Sequence, residues 1–227
     1  MASADAIALG ISFRLAAVTT LLLLLACTPL AWWLAMGRSR WRVVIDAVVS
    51  LPLVLPPTVL GFYMLIVLGP DGWLGRTLHA LGLASPVFSF SGLVLGSMLY
   101  SLPFVAQPLR DAFESVGLRA LEVAATLRAS PWNRFCTVAV PLAFRGFITA
   151  AVLCFAHTLG EFGIVLMIGG NIPGRTQTAS IAIFNHAEVL DYGAAHRLSA
   201  TLLVICFVLL LGVYTANRRL RSTAALA

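Results

Sequence analysis

Residues 122–141 read EVAATLRASPWNRFCTVAVP, a polar, arginine-studded segment set between two apolar runs. Leu121, Glu122, Ala124 and Ala125 suit a helix. Ser130-Pro131 then reads as a helix cap followed by proline at the first helical position, and Val138-Ala139-Val140-Pro141 closes the segment. Two short helices with a bend near Arg128 to Ser130 are therefore predicted. Between membrane spans, such a patch offers a docking surface to something in the cytosol; the plainer alternative is a solvated amphipathic loop.

Composition places that segment in a membrane protein. Of the 227 residues, 60% are hydrophobic and only 11% charged, and the mean hydropathy is +0.95, outside the range of soluble domains. Crossing the hydrocarbon core takes about 20 apolar residues, and five runs qualify: 11–36, 43–68, 88–109, 147–168 and 198–214. A sixth, 178–190, is short and interrupted by Asn185, His186 and Glu188, so it reads as a re-entrant or interfacial helix. The fold class is an all-α polytopic membrane protein. One domain spans 1–227, with 114–141 a cytoplasmic segment inside it.

Arginine orients the stack, because loops rich in positive charge stay on the cytoplasmic side. The 37–42 loop, the 110–146 segment and the tail from Asn217 hold eleven of the fifteen arginines; Arg14, Arg76, Arg175 and Arg197 fall on the other side. The N-terminus is then external and the C-terminus cytoplasmic. The net charge of +6 comes from arginine alone, since the chain has no lysine. A phosphate-binding P-loop needs lysine, so ATP-driven work would fall to another chain, and no nucleic-acid partner is expected. Cys27, Cys136, Cys154 and Cys206 follow no metal or disulfide spacing. Leu24-Leu25-Ala26-Cys27 resembles a lipoprotein cleavage box, but the apolar run continues through Trp32, Trp33 and Met36, so an uncleaved helix is expected.

Three motifs suggest chemistry within the spans. Leu51-Pro52-Leu53-Val54-Leu55-Pro56-Pro57-Thr58 places three prolines in six positions, which kinks or unwinds a helix. Broken backbone survives in lipid only when buried in protein or lining an aqueous cavity, so this stretch is read as lining a path, with a packing kink as the alternative. His157 and Glu161 stand four apart before Gly163, and an ionisable residue at membrane depth usually faces a bundle interior or cavity. Pro56, Pro57, Thr58, Ser97, Glu161 and Gly163 are the path or gate candidates. A metal reading needs a third ligand, such as His186 or Glu188, and nothing in the spacing demands one; no metal site is assigned. The run 169–178, GGNIPGRTQT, reads as an external loop with exposed amide and hydroxyl donors. There Asn171, Pro173, Gly174, Arg175 and Thr176 are candidates to meet an anion or a soluble partner.

These motifs resemble the permease subunits of ATP-binding-cassette importers. Their signature is Glu-Ala-Ala, three residues, glycine, nine residues, then Ile-x-Leu-Pro. Glu122 and Ala124 match its first and third positions and Val138 to Pro141 its end, while Val123 replaces the first alanine and Arg128 the glycine. A left-handed conformation would cost arginine about 1 to 2 kcal/mol, so the bend is expected at Ser130-Pro131 instead. LPLVLPPTVLGF (51–62) and LGEFGIVLMIGGNIPGRTQT (159–178) resemble the molybdate members more than their sulfate relatives.

The resemblance, which covers nearly the whole chain, implies a type I importer permease fold. It also implies a homodimer on two cytosolic ATPase subunits, which bind the ATP and Mg, this chain having no cofactor of its own. A soluble extracytoplasmic oxyanion-binding protein would deliver molybdate. Glu122, Ala124, Ala125, Arg128 and Pro141 would then form the ATPase-coupling surface. Rival readings are a sulfate or tungstate permease of the same family, a self-sufficient secondary anion transporter using Glu161 and His157 as a relay, and a membrane metalloenzyme using His157, Glu161, His186 and Glu188.

Overall fold

The computed structural model describes residues 2–37 and 39–224, with side chains from residue 4 to residue 215; Arg38 and the tail arginines of the orientation argument lie outside the described side chains. Among the described residues all regular structure is helical: α1 Ala2–Met36, α2 Trp41–Ser50, α3 Pro57–Leu68, α4 Trp73–Ala80, α5 Phe90–Thr126, α6 Pro131–Arg134, α7 Val140–Leu142, α8 Phe144–Gly160, α9 Gly163–Gly169, α10 Ala179–Glu188 and α11 Tyr192–Ala224. Four segments are long and apolar enough to cross a membrane, namely α1, α3 with α4, α5 and α11. A fifth crossing results if the 131–142 segment and α8, bent by 67° to each other, count as one span.

Helices α1, α5 and α8 form the centre. In one half, Leu23, Cys27 and Ala31 of α1 pack on Val105, Leu109 and Phe113 of α5 and on Ala150 and Cys154 of α8. Rings of Trp32, Phe113, Phe135 and Phe147 fill that half in edge-on or tilted contacts of 5.2–6.0 Å. Lipid is as apolar as leucine, so close van der Waals fit rather than water exclusion holds membrane helices together. Gly146 shows this: a Cβ there would strike Ala112 of α5. In the other half Leu15, Leu93, Ile164, Ile168 and Ile181 form a second cluster. Ala8, Ala179, Ala182 and Leu198 join α1, α10 and α11 in a third.

The molecule has two chemically different ends. The start of α2 and the arginine-rich 110–146 segment meet at one, where Arg42 reaches Glu114 at 3.6 Å. At the other, Asp5 pairs with His186 at 2.9 Å and the Phe88 N–H donates to the Ile168 carbonyl at 2.8 Å. Helix α10 covers ten residues, about 15 Å at 1.5 Å per residue, too short to cross.

Several spans depart from the sequence reading. Helix α1 begins nine residues before the predicted start. The Pro-rich stretch breaks the second span as expected, through a 3-10 turn at Leu51–Leu53 and extended backbone at Pro56. The fourth span, read as continuous over 147–168, is also broken, because Glu161 is extended and Phe162 lies outside helical space.

The expected displacement of the bend from Arg128 is overturned: Arg128 itself is left-handed, with φ of 60°. Its N–H donates to the Ala125 carbonyl at 2.9 Å and the Ala129 N–H to the Ala124 carbonyl at 3.2 Å, a helix-ending pattern that satisfies carbonyls otherwise orphaned. Those two bonds offset the strain. Ser130 then caps α6 by accepting from the Asn133 N–H, so bend and cap are consecutive rather than alternative. A second bend, unforeseen from sequence, lies inside α5 at Gly117, with φ 70° and ψ 162°, a region essentially restricted to glycine. It separates the spanning part of α5 from a short terminal helix over 118–126.

These two positions make opposite predictions. Arg128→Gly should raise the thermal stability of the detergent-solubilised protein by up to about 1 kcal/mol, because it relieves left-handed strain. Gly117→Ala should lower it by about 1 to 3 kcal/mol, both read as shifts in melting temperature.

Candidate functional site

The two broken spans meet. Pro57 and Thr58, at the start of α3, lie against Gly163 at the start of α9; a Cβ on Gly163 would stand 2.9 Å from Pro57 Cβ and 3.5 Å from Thr58 Cγ2. Glycine is required there because two backbones approach closely. Pro56, Pro57, Thr58, Glu161 and Gly163 are thus gathered at one junction. Pro56 and Thr58 are exposed, whereas Gly163 and Glu161 are buried.

Glu161 is 4% exposed. Its carbonyl, freed by the helix break, accepts from the Ser180 hydroxyl at 2.5 Å, which ties the break to α10. Its carboxyl group faces the Ser97 hydroxyl of α5. No bond of normal geometry closes, so Ser97 Oγ and both Glu161 carboxyl oxygens are buried without a partner. Burying such groups uncompensated opposes folding, and a protein retains the arrangement when something other than stability requires it. Nearby, Ser101 Oγ lies 3.0 Å from both His157 Nδ1 and Thr158 Oγ1, a hydroxyl link between α5 and α8 that the sequence analysis did not single out. Its one sequence signal is that Ser97 and Ser101 are four apart on a helix.

His157 and Glu161 do not share a helical face, since the helix ends at Gly160. His157 instead stacks on Phe104, with ring centroids 4.0 Å apart, and tilts against Tyr100. His186 is committed to Asp5, and Glu188 is exposed. Among the described residues no three His, Cys, Asp or Glu side chains converge, so the four residues of the metalloenzyme reading are not brought together.

The 169–178 loop is knitted to itself rather than open. The Thr176 hydroxyl, fully buried, donates to the Gly169 carbonyl at 2.6 Å and accepts from the Ile172 N–H at 3.0 Å. Asn171, left-handed at φ 53°, accepts from Gln177 at 3.0 Å and donates to Asn185 at 3.1 Å. The sequence expectation of free donors at Asn171 and Thr176 is corrected: both hold the loop's shape. Pro173, Gly174 and Arg175 form its exposed tip.

At the arginine-rich end, the 118–126 helix buries Leu121 and Ala124 and turns Glu122, Val123, Ala125, Leu127 and Arg128 outward. Ala124 thus anchors the segment, while Pro141 is exposed. Val123, Leu127 and Trp132 are 62, 79 and 73% exposed. Large apolar side chains displayed together beside Glu122 and Arg128 mark an interaction surface. None of the three was chosen from sequence, because identity alone does not reveal which face of a short helix is covered.

Glu161→Met replaces the unpartnered carboxyl with an apolar chain of similar length. It should raise thermal stability by about 1 to 3 kcal/mol, measured as a shift in melting temperature.

Residues 27–222 match the family described as the inner membrane component of binding-protein-dependent transport systems. The chain is 56% identical over 214 residues to the molybdenum transport system permease protein of Azotobacter vinelandii, covering 94% of this chain and 95% of that one. It is 35% identical over 181 residues to the corresponding protein of Haemophilus influenzae, covering 80% and 79%. Its fold resembles a chain of the solved bacterial alginate ABC transporter in complex with an alginate pentasaccharide-bound periplasmic protein. The TM-score there is 0.75 at 18% identity, over 94% of this chain and 78% of that one. An all-helical, multi-pass chain with this match over most of its length belongs to the family of binding-protein-dependent transport system inner membrane components, the membrane permeases of ABC importers.

Proposed function

We infer that this chain is the molybdate-conducting permease subunit of an ATP-driven importer, acting as a homodimer on two cytosolic ATPase subunits. An extracytoplasmic oxyanion-binding protein would feed it. The observation that carries the reading is the exposed 118–132 surface at the arginine-rich end of a chain that itself lacks lysine. An ATP-driven transporter with no phosphate-binding loop of its own needs a partner that hydrolyses ATP, and this surface is where such work would enter. The substrate assignment draws on the similarity to molybdenum permeases. The positive-inside rule places that end in the cytosol, leaving α4, the 169–178 loop and the N-terminus of α1 outside.

In this scheme the 118–126 helix docks in a cleft of the ATPase. Leu121 and Ala124 hold it to the permease, and Glu122, Val123, Ala125, Leu127, Arg128 and Pro141 face the partner. Closure of the ATPase pair on ATP and Mg moves that helix and exposes the path to the outside. Exposed Thr58 lies in the first turn of α3, a twelve-residue helix whose positive dipole end favours an anion. Hydroxyls and helix ends without a fixed cation bind a dianion weakly, which suits a conduit, since ions must leave as readily as they enter. Selectivity then rests mainly with the binding protein. The tip at Pro173, Gly174 and Arg175 is positioned to meet that protein.

Purification in mild detergent should bring down a P-loop ATPase with vanadate-sensitive activity. Reconstituted vesicles should take up molybdate only with ATP and the binding protein; uptake by the permease alone, driven by an ion gradient, would instead support a secondary transporter. Competition by tungstate and sulfate ranks the anions. Glu122→Lys should abolish uptake while the protein remains inserted and dimeric, and unchanged uptake would refute the coupling role.

A further inference from the structure

Helix α2 is attached to the bundle in an unusual way. Its outward residues Trp41, Val43, Val44 and Val48 are exposed, and Val49 is its one buried side chain. Beside Ile45 and Val49, which pack into the apolar core, its inward face carries Arg42, Asp46 and Ser50, spaced four apart and therefore in one row. Each meets a polar residue on α5, in antiparallel order. The Gln107 amide donates to Ser50 Oγ at 2.9 Å. Arg110 NH1 donates to both Asp46 oxygens, at 2.6 and 2.5 Å. Arg42 NH2 stands 3.6 Å from Glu114 and also donates to the Ala35 carbonyl at the end of α1. Arg110 is held from its other side by Asp111 at 2.8 Å.

The surroundings of this row suit motion. Helix α2 is followed by the Pro-rich break, so no continuous helix carries it on into α3. A cavity of about 400 Å³ lies beside the row, lined among others by Gly37, Arg42, Asp46, Arg110 and Glu114. A second of about 600 Å³ runs from Arg42 and Glu114 to Gly117 and Leu118. Apolar packing resists displacement through many small contacts, whereas a row of ion pairs beside open space has few contacts to exchange.

The row also joins two places of functional interest. Three residues beyond Glu114 comes the Gly117 bend and then the 118–126 helix. Beyond Ser50 come the Pro-rich break, Pro57 and Thr58, and the junction with Gly163 and Glu161.

We propose that the Asp46–Arg110 and Arg42–Glu114 pairs are a transmission seam, through which displacement of the 118–126 helix is passed by α5 to α2 and so to the broken-helix junction. Asp46 and Arg110 act as positioning residues, which set the position of α2 relative to α5. The proposal rests on the importer reading above.

The test uses the full complex of permease, ATPase and binding protein in vesicles and measures molybdate imported per ATP hydrolysed. That ratio is insensitive to the amount of folded protein. Asp46→Arg or Arg110→Asp alone should lower it about tenfold, and the charge-swapped double variant should return to within about threefold of wild type. Unchanged single variants, or a double variant no better than the worse single one, overturn the seam and leave the importer reading intact. Should the reversals fail to insert, Asp46→Asn and Arg110→Gln give the same decision: a double variant no worse than either single supports the seam, and independent additive losses, or no loss, overturn it. A wild-type chain that recruits no ATPase overturns the importer reading and the seam together.

Discussion

The structure depends on one constraint: inside a bilayer every backbone N–H and C=O needs a partner within the protein. An unbroken helix meets it alone, as α1 does through most of its 35 residues. A broken helix meets it only with help from other elements. The breaks at 51–56 and 160–163 persist because they are placed together, Pro57 on Gly163, with the Ser180 hydroxyl supplying the donor that the Glu161 carbonyl lost. Proline contributes by removing donors that would otherwise go unpaired, and glycine by allowing the approach. The junction is thus a cooperative feature, and neither break is self-sufficient.

Backbone strain is unevenly distributed. Among the described residues Phe88, Arg128, Asn171 and Leu190 are the left-handed non-glycine residues, and each stands at the end of a helix or in a loop. The orphan oxygens of Ser97 and Glu161 lie beside the junction. An interior that kept only the most stable arrangement would have replaced that carboxyl by an apolar side chain. Its retention fits a permease, in which interior surfaces are used in more than one conformation.

Much of the candidate site was legible in the sequence because proline, glycine and buried charge act locally. Three prolines announce a break wherever they fall, and Ser130-Pro131 announces a helix start. The weaker readings share a cause. Whether Asn171 and Thr176 offer their donors outward or use them within the loop depends on Gly169, Gln177 and Asn185, and the answer is inward. Which face of the 118–126 helix is covered depends on the bundle behind it, so Val123, Leu127 and Trp132 could not be chosen in advance. The seam between α2 and α5 spans 57 to 72 positions of sequence, beyond the reach of any local pattern.

By itself the sequence determined the membrane class, the positions of the apolar runs, the break at Pro52 to Pro57, the arginine asymmetry and the absence of lysine. All of these follow from transfer energies and backbone geometry that residues carry wherever they stand. Only the tertiary structure decided that the fourth span is broken at Glu161, that Arg128 rather than Ser130 takes the bend, that Gly117 turns α5, and that His186 belongs to Asp5, 181 residues away. Each is settled by a partner distant in sequence or by hydrogen bonds that offset a local penalty, and a balance between two such terms is visible only once both partners are in place.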